Sequence, residues 1–87
     1  MDKSFTLEIL TPRKKVFAGE VISLVAPGAL GYLGVLAHHA PLVTTLMPGK
    51  VVLRDPSGAA TALRSGGSGF LEVRRNKATL LLETVSE

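Results

Sequence analysis

Apolar residues recur with a period of two along this chain, and proline or glycine interrupts the pattern about every eight to ten residues. Phe5, Leu7 and Ile9 alternate with Thr6 and Glu8, so residues 4–10 read as a half-buried strand. Pro12 stops it, and Val16-Phe17-Ala18 forms a second short strand ending at Gly19. Val21 to Ala26 is rich in β-branched residues and closes at Pro27-Gly28. Gly28, Gly31 and Gly34 predict two tight bends around a short strand, with Tyr32-Leu33 at the tip. Residues 40–47 are extended up to Pro48-Gly49, and Lys50 to Asp55 alternates again. Asp55-Pro56-Ser57-Gly58 is a turn. Ala59 to Ser65 returns, Gly66-Gly67-Ser68-Gly69 reads as a flexible bend, and Phe70 to Arg74 with Ala78 to Val85 makes a last hairpin. Thr79 to Leu82 is apolar on both faces, which suits a central strand or one covered by a partner. No stretch carries a helical face of ten residues. The expectation is an all-β chain, a two-sheet β-sandwich of about ten short strands.

Length and charge narrow this further. The 87 residues predict one domain spanning residues 1–87, with one modest core. The absence of Cys excludes a disulfide scaffold, a Cys-ligated zinc and a thiol nucleophile. Between Glu20 and Lys50 lie 29 residues without a formal charge. That is long enough for a membrane span. However, Pro27, Gly28, Gly31, Gly34, Pro41, Pro48 and Gly49 break it throughout, and broken backbone in lipid leaves polar groups unpaired. Met1-Asp2-Lys3-Ser4 leads into an alternating segment and not an apolar signal region, so the chain reads as soluble.

Reactive constellations are scarce. His38-His39 lacks a Cys, a third His or a nearby carboxylate, and adjacent strand residues point to opposite faces. One His capping a turn while the other packs or meets a partner is the better reading, and no metal is expected. No G-x-S-x-G elbow exists, and Gly66-Gly67-Ser68-Gly69 precedes no helix, so neither a hydrolase nucleophile nor a phosphate loop is indicated. Glu72 and Glu83 are drawn as facing each other across the last hairpin, an arrangement too common to mark an enzyme. No catalytic residue and no cofactor is expected. Two basic turns, Arg13-Lys14-Lys15 and Arg74-Arg75-Asn76-Lys77, keep one alternative alive: a small β-barrel that binds nucleic acid. Its weakness is the lack of stacking aromatics, since Phe5, Phe17, Tyr32 and Phe70 are all there are.

The uncharged stretch is the stronger signal. A buried strand explains Val21 to Ala26 but not why the loops also lack charge. Apolar loop residues such as Ala29-Leu30 and Tyr32-Leu33 predict an exposed patch, and charge depletion is the compositional mark of an interface centre. Such a patch also gives the isolated domain a route to dimerisation.

An ordered series of motifs resembles the ε subunit of F-type ATP synthase, specifically its N-terminal β-sandwich domain. The series runs Leu7-Glu8-Ile9-Leu10-Thr11-Pro12, Val16-Phe17-Ala18-Gly19-Glu20-Val21, Pro27-Gly28, then Gly31-Tyr32-Leu33-Gly34-Val35-Leu36. It continues with His39-Ala40-Pro41-Leu42-Val43, Pro48-Gly49-Lys50-Val51 and Gly69-Phe70-Leu71-Glu72-Val73, and covers essentially the whole chain. The resemblance implies a non-catalytic subunit at the foot of the central stalk. Its partners would be the γ subunit and the membrane rotor ring of c subunits, and it would couple ion-driven rotation to ATP synthesis. By the same resemblance, Gly31, Tyr32, Leu33 and Gly34 meet the ring, and His39, Ala40, Pro41, Leu42 and Val43 lie at the γ contact. It places the domain peripherally, on the cytoplasmic face of a bacterial-type energy-transducing membrane, with no nucleic acid involved. Two departures stand out: Tyr32 occupies a position where many relatives are acidic, and Gly66-Gly67-Ser68-Gly69 is longer than the usual turn. The sequence given stops at Glu87, where many relatives continue into a helical hairpin. Neither hairpin-mediated inhibition nor ATP binding is therefore expected of residues 1–87.

Overall fold

A computed structural model describes residues 3–86. Eight strands follow in chain order: β1 Phe5–Leu10, β2 Lys15–Val21, β3 Ser23–Gly28, β4 Gly31–Val35, β5 Leu42–Leu46, β6 Gly49–Arg54, β7 Ala60–Arg74 and β8 Lys77–Ser86. Among the described residues there is no helix, hence none long and apolar enough to cross a membrane.

One hydrogen-bonded sheet folds over into two layers, and β7 is the strand that links them. Its second half, residues 69–74, lies between β5 and β8 in a layer ordered β2-β1-β8-β7-β5. Its first half pairs with β6, which pairs with β3, and β3 carries β4 on its other side. β1 and β8 run parallel while the other neighbours are antiparallel. The inner faces supply one core. Phe5, Leu7, Ile9, Leu71, Val73, Ala78, Leu80 and Leu82 come from one layer, and Leu24, Ala26, Val35, Val51, Leu53 and Leu63 from the other. The period-two pattern is the cause: β1 buries Phe5, Leu7 and Ile9 and turns Thr6, Glu8 and Leu10 outward.

The structure differs from the sequence reading in its bends. The strands number eight, because Gly66–Gly69 does not end a strand. There β7 takes a bulge, with the register to β8 shifting between Gly66 and Gly69. Gly67 has φ 72°, and a Cβ on Gly69 would lie 2.5 Å from the Leu81 carbonyl oxygen, so the bulge needs glycine at both places. Ser68 donates from its N–H and its hydroxyl to Glu83 across the bulge, at 3.3 and 2.9 Å. Gly19 likewise does not end β2, which continues to Val21. The β3–β4 turn is Ala29-Leu30, and Tyr32-Leu33 lies within β4 and not at the tip. The Asp55 turn is as expected: Asp55 Oδ1 accepts from Ser57 N–H, Ser57 Oγ–H and Ala59 N–H.

Candidate partner interface

Among the described residues, six of the eight exposed large hydrophobic side chains fall inside the uncharged stretch: Val25, Leu30, Tyr32, Leu36, Val43 and Met47. The stretch therefore supplies core on one side and apolar surface on the other. In the β3–β4 hairpin, Leu24, Ala26 and Val35 point inward, while Leu30 at the tip is fully exposed. Tyr32 is 60% exposed, yet its hydroxyl accepts the Lys50 N–H at 3.0 Å. Its ring thus lies on the outer face of the sheet, leaning sideways over Pro27 toward β6, and only part of it faces solvent. Leu33 is half-buried, and Gly31 and Gly34 are exposed.

The loop from Leu36 to Pro41 is held by polar contacts from other strands. His38 has a left-handed backbone, φ 63°, and its N–H donates to Asn76 Oδ1 at 2.7 Å. Asn76, in the β7–β8 turn, donates from Nδ2 to the Ser4 carbonyl at 3.0 Å. His39 N–H donates to the Leu36 carbonyl at 3.2 Å, and His39 Nδ1 lies 2.7 Å from the Ala40 carbonyl. A carbonyl only accepts, so Nδ1 carries the proton. Both histidines shape this loop. Among the described residues no three His, Asp or Glu side chains draw together to hold a metal.

The residues singled out from the sequence do not form one patch. Gly31, Tyr32, Leu33 and Gly34 lie on β4, at the lateral edge of the second layer. His39, Ala40 and Pro41 sit at the end of the molecule near Asn76, and Leu42 and Val43 start β5 in the first layer. Beyond Val43 the outer face of that layer carries a row the sequence reading missed. Phe70 faces Leu81 and Leu81 faces Leu10 at successive register positions, with Phe70 and Leu81 about half exposed. The signal was the two-faced apolar run Thr79 to Leu82: β8 is central, but Leu81 is left uncovered.

The charged groups are arranged otherwise. Glu8 takes Lys77 Nζ at 3.2 Å and Lys15 Nζ at 3.4 Å. Hydrogen bonds from Lys77 first, then Lys15, hold its carboxyl below its ordinary range. The hydrogen bond from Ser57 does the same for Asp55. Glu72 pairs in register with Thr79, not with Glu83, whose oxygen is used by Ser68. Of the two basic turns, Arg13 and Arg75 stand at opposite ends of β1, Arg13 near Glu83 to Val85 and Arg75 in the turn beside Thr6 and Ser4, while Lys15 and Lys77 meet at Glu8, which offsets their charge.

Known proteins with this sequence and fold are consistent with one another. The family profile described as ATP synthase, Delta/Epsilon chain, beta-sandwich domain matches residues 4–87. The ATP synthase epsilon chain of Chlorobaculum tepidum is 48% identical over 85 residues, which cover 98% of this chain and 96% of that one. The epsilon chain of Pelotomaculum thermopropionicum is 48% identical over 80 residues, 92% of this chain and 58% of the relative. A chain in the cryo-EM structure of Euglena gracilis mitochondrial ATP synthase, OSCP/F1/c-ring, superposes with TM-score 0.90 at 18% identity, covering 98% of this chain and 54% of that chain. A match of this extent identifies the chain as a member of the β-sandwich domain family of ATP synthase delta/epsilon chains.

Proposed function

We propose that this chain acts at the foot of the central stalk of an F-type ATP synthase, where it binds γ and the rotor c-ring and transmits ion-driven rotation to ATP synthesis. Its epsilon-chain relatives make it a non-catalytic subunit of the membrane-bound ATP synthase, peripheral to the membrane. The observation that carries the finer reading is the concentration of exposed apolar side chains in the uncharged stretch 21–49. A surface of that kind loses little on desolvation and gains from burial against a partner. Gly31, Tyr32, Leu33 and Gly34 serve the ring contact, and His39, Ala40, Pro41, Leu42 and Val43 the γ contact. The Asn76 clasp would hold the His38-His39 loop in shape before γ arrives. A bacterial-type enzyme, with the subunit on the cytoplasmic face, fits the relatives named above. Nucleic-acid binding is not favoured: Arg13 and Arg75 stand at opposite ends of β1, and the charge of Lys15 and Lys77 is offset by Glu8 between them.

The test is capture of the purified chain by γ. A complex at about micromolar concentration is expected. Its absence, with the sandwich shown folded by circular dichroism, overturns the γ assignment.

A further inference from the structure

We infer that the free edge of β4 is a self-pairing edge, through which two copies of this chain join antiparallel about a two-fold axis at Leu33. β4 is bonded to β3 on one side and closes the strand order on the other. Pro27 settles which backbone groups are left over. It stands opposite Tyr32 but has no N–H, so Pro27 and Tyr32 are not a mutually bonded pair. The ladder to β3 therefore runs through Gly31, Leu33 and Val35, and the N–H and C=O of Tyr32 and Gly34 point away from the sheet. The Pro27 carbonyl faces the opposite way and accepts Met47 N–H at 2.8 Å, as this alternation requires.

Nothing on β4 defends those groups. Edge strands are usually blunted by charge, proline or a bulge. By contrast β2, an edge strand of the first layer, has Lys15 and a bulge opposite Ile9–Leu10. Residues 31–35 have none of these, and all of the 29-residue stretch is uncharged. Side chains do not cover the edge either: Gly34 has none, and the Tyr32 ring is drawn across the outer face of the sheet, away from the edge, by the Lys50 hydrogen bond.

The edge fits its own copy. With Leu33 opposite Leu33, Tyr32 of each chain meets Gly34 of the other as a mutually bonded pair, which satisfies every outward group of both residues with four N–H···O bonds. In the same register the fully exposed Leu30 lies opposite the exposed Leu36. No charge opposes its twin across the axis. The two-fold closes the assembly at a dimer. One consequence rests on the proposed function: pairing covers Gly31 to Gly34, so self-association and ring contact are mutually exclusive.

Sedimentation equilibrium of the isolated chain, over a range on the order of 10 µM to 1 mM, tests this. The expected mass rises from 9.1 kDa toward twice that value. Gly34→Pro deletes one outward N–H that the β3 ladder does not use, at a φ outside the left-handed range, and is expected to stay at 9.1 kDa. Gly34→Lys, into open space with the nearest atom 3.9 Å from an added Cβ, gives the same result if the proline variant fails to fold. A parent chain still at 9.1 kDa at about 1 mM, assembly beyond a dimer, or folded variants that dimerise like the parent would each overturn the inference. None of these readouts involves γ, so failure here and failure of the stalk assignment are separable.

Discussion

The two edge hairpins bury alike and expose differently. β1–β2 sends Phe5, Leu7, Ile9 and Val21 into the core, and β3–β4 sends Leu24, Ala26 and Val35. On the outside, β1–β2 is laced with polar contacts: Glu8 sits between Lys15 and Lys77, and Glu20 accepts from Ser4 and Thr6 hydroxyls at 2.9 and 2.7 Å. β3–β4 carries Val25, Leu30 and Tyr32 on its outside and no charge at all. The core demands the same of both hairpins. The outer surface separates a hairpin laced with charge from one that is uncharged and apolar.

If the cores are equivalent, Leu7→Ala and Leu24→Ala, each removing a fully buried side chain, will each cost about 2–5 kcal/mol in urea unfolding. A loss confined to one of them would break the equivalence. A smaller contrast lies in the glycines. Gly49, at the start of β6, packs against the β3–β4 hairpin, and a Cβ on it would sit 2.8 Å from the Tyr32 hydroxyl and 2.9 Å from Pro27 Cβ. Gly49→Ala is therefore expected to cost about 1–3 kcal/mol and to release the Tyr32 ring, seen as a shift of its aromatic NMR signals. On the other hairpin, Gly19 has its nearest neighbour, a Phe17 ring carbon, at 3.4 Å. Gly19→Ala should fall between neutral and a gain of about 1 kcal/mol.

The outer surfaces are separated by binding. Val43→Lys, at a side chain 72% exposed and opposite Glu72 in register, is expected to weaken γ capture about tenfold or more while leaving unfolding within about 0.5 kcal/mol. Arg13→Asp, in the exposed turn of β1–β2, should leave capture unchanged. Equal losses from both would remove the distinction between the uncharged stretch, to which Val43 of β5 belongs, and the β1–β2 hairpin.

How much of this was legible depended on whether the signal was local. Alternation in Phe5 to Leu10 and Lys50 to Arg54 maps directly onto β1 and β6, because one face of each is core. The bulge at Gly66–Gly69 was not legible: four small residues look like a loop, and only pairing with β8 on one side, and with β6 and then β5 on the other, keeps the strand continuous. The Leu10–Leu81–Phe70 row was hidden for the same reason, since it joins three strands far apart in sequence. The Asn76 clasp spans 38 residues to His38 and 72 to Ser4, and no local pattern announces it. The uncharged stretch was legible because an apolar surface made of consecutive residues leaves its mark on composition.

The smallest expected effect is electrostatic, and its sign follows from Glu8. Two lysines hold its carboxyl below its ordinary value of 4.5 in the folded chain. A carboxyl depressed by folding adds stability that is complete above the unfolded value and disappears as pH falls through the folded one. Stability should therefore decline below about pH 4.5, and Glu8→Gln should flatten that decline while leaving a small deficit at neutral pH. The β3–β4 hairpin has no carboxylate to titrate. In an NMR titration from neutral to acid, amides around Glu8, Lys15 and Lys77 should move while those of Gly31 to Val35 stay still until the chain unfolds. Early movement of the β4 amides would mean that its uncharged surface is electrostatically coupled to the rest, and that the two hairpins are not independent.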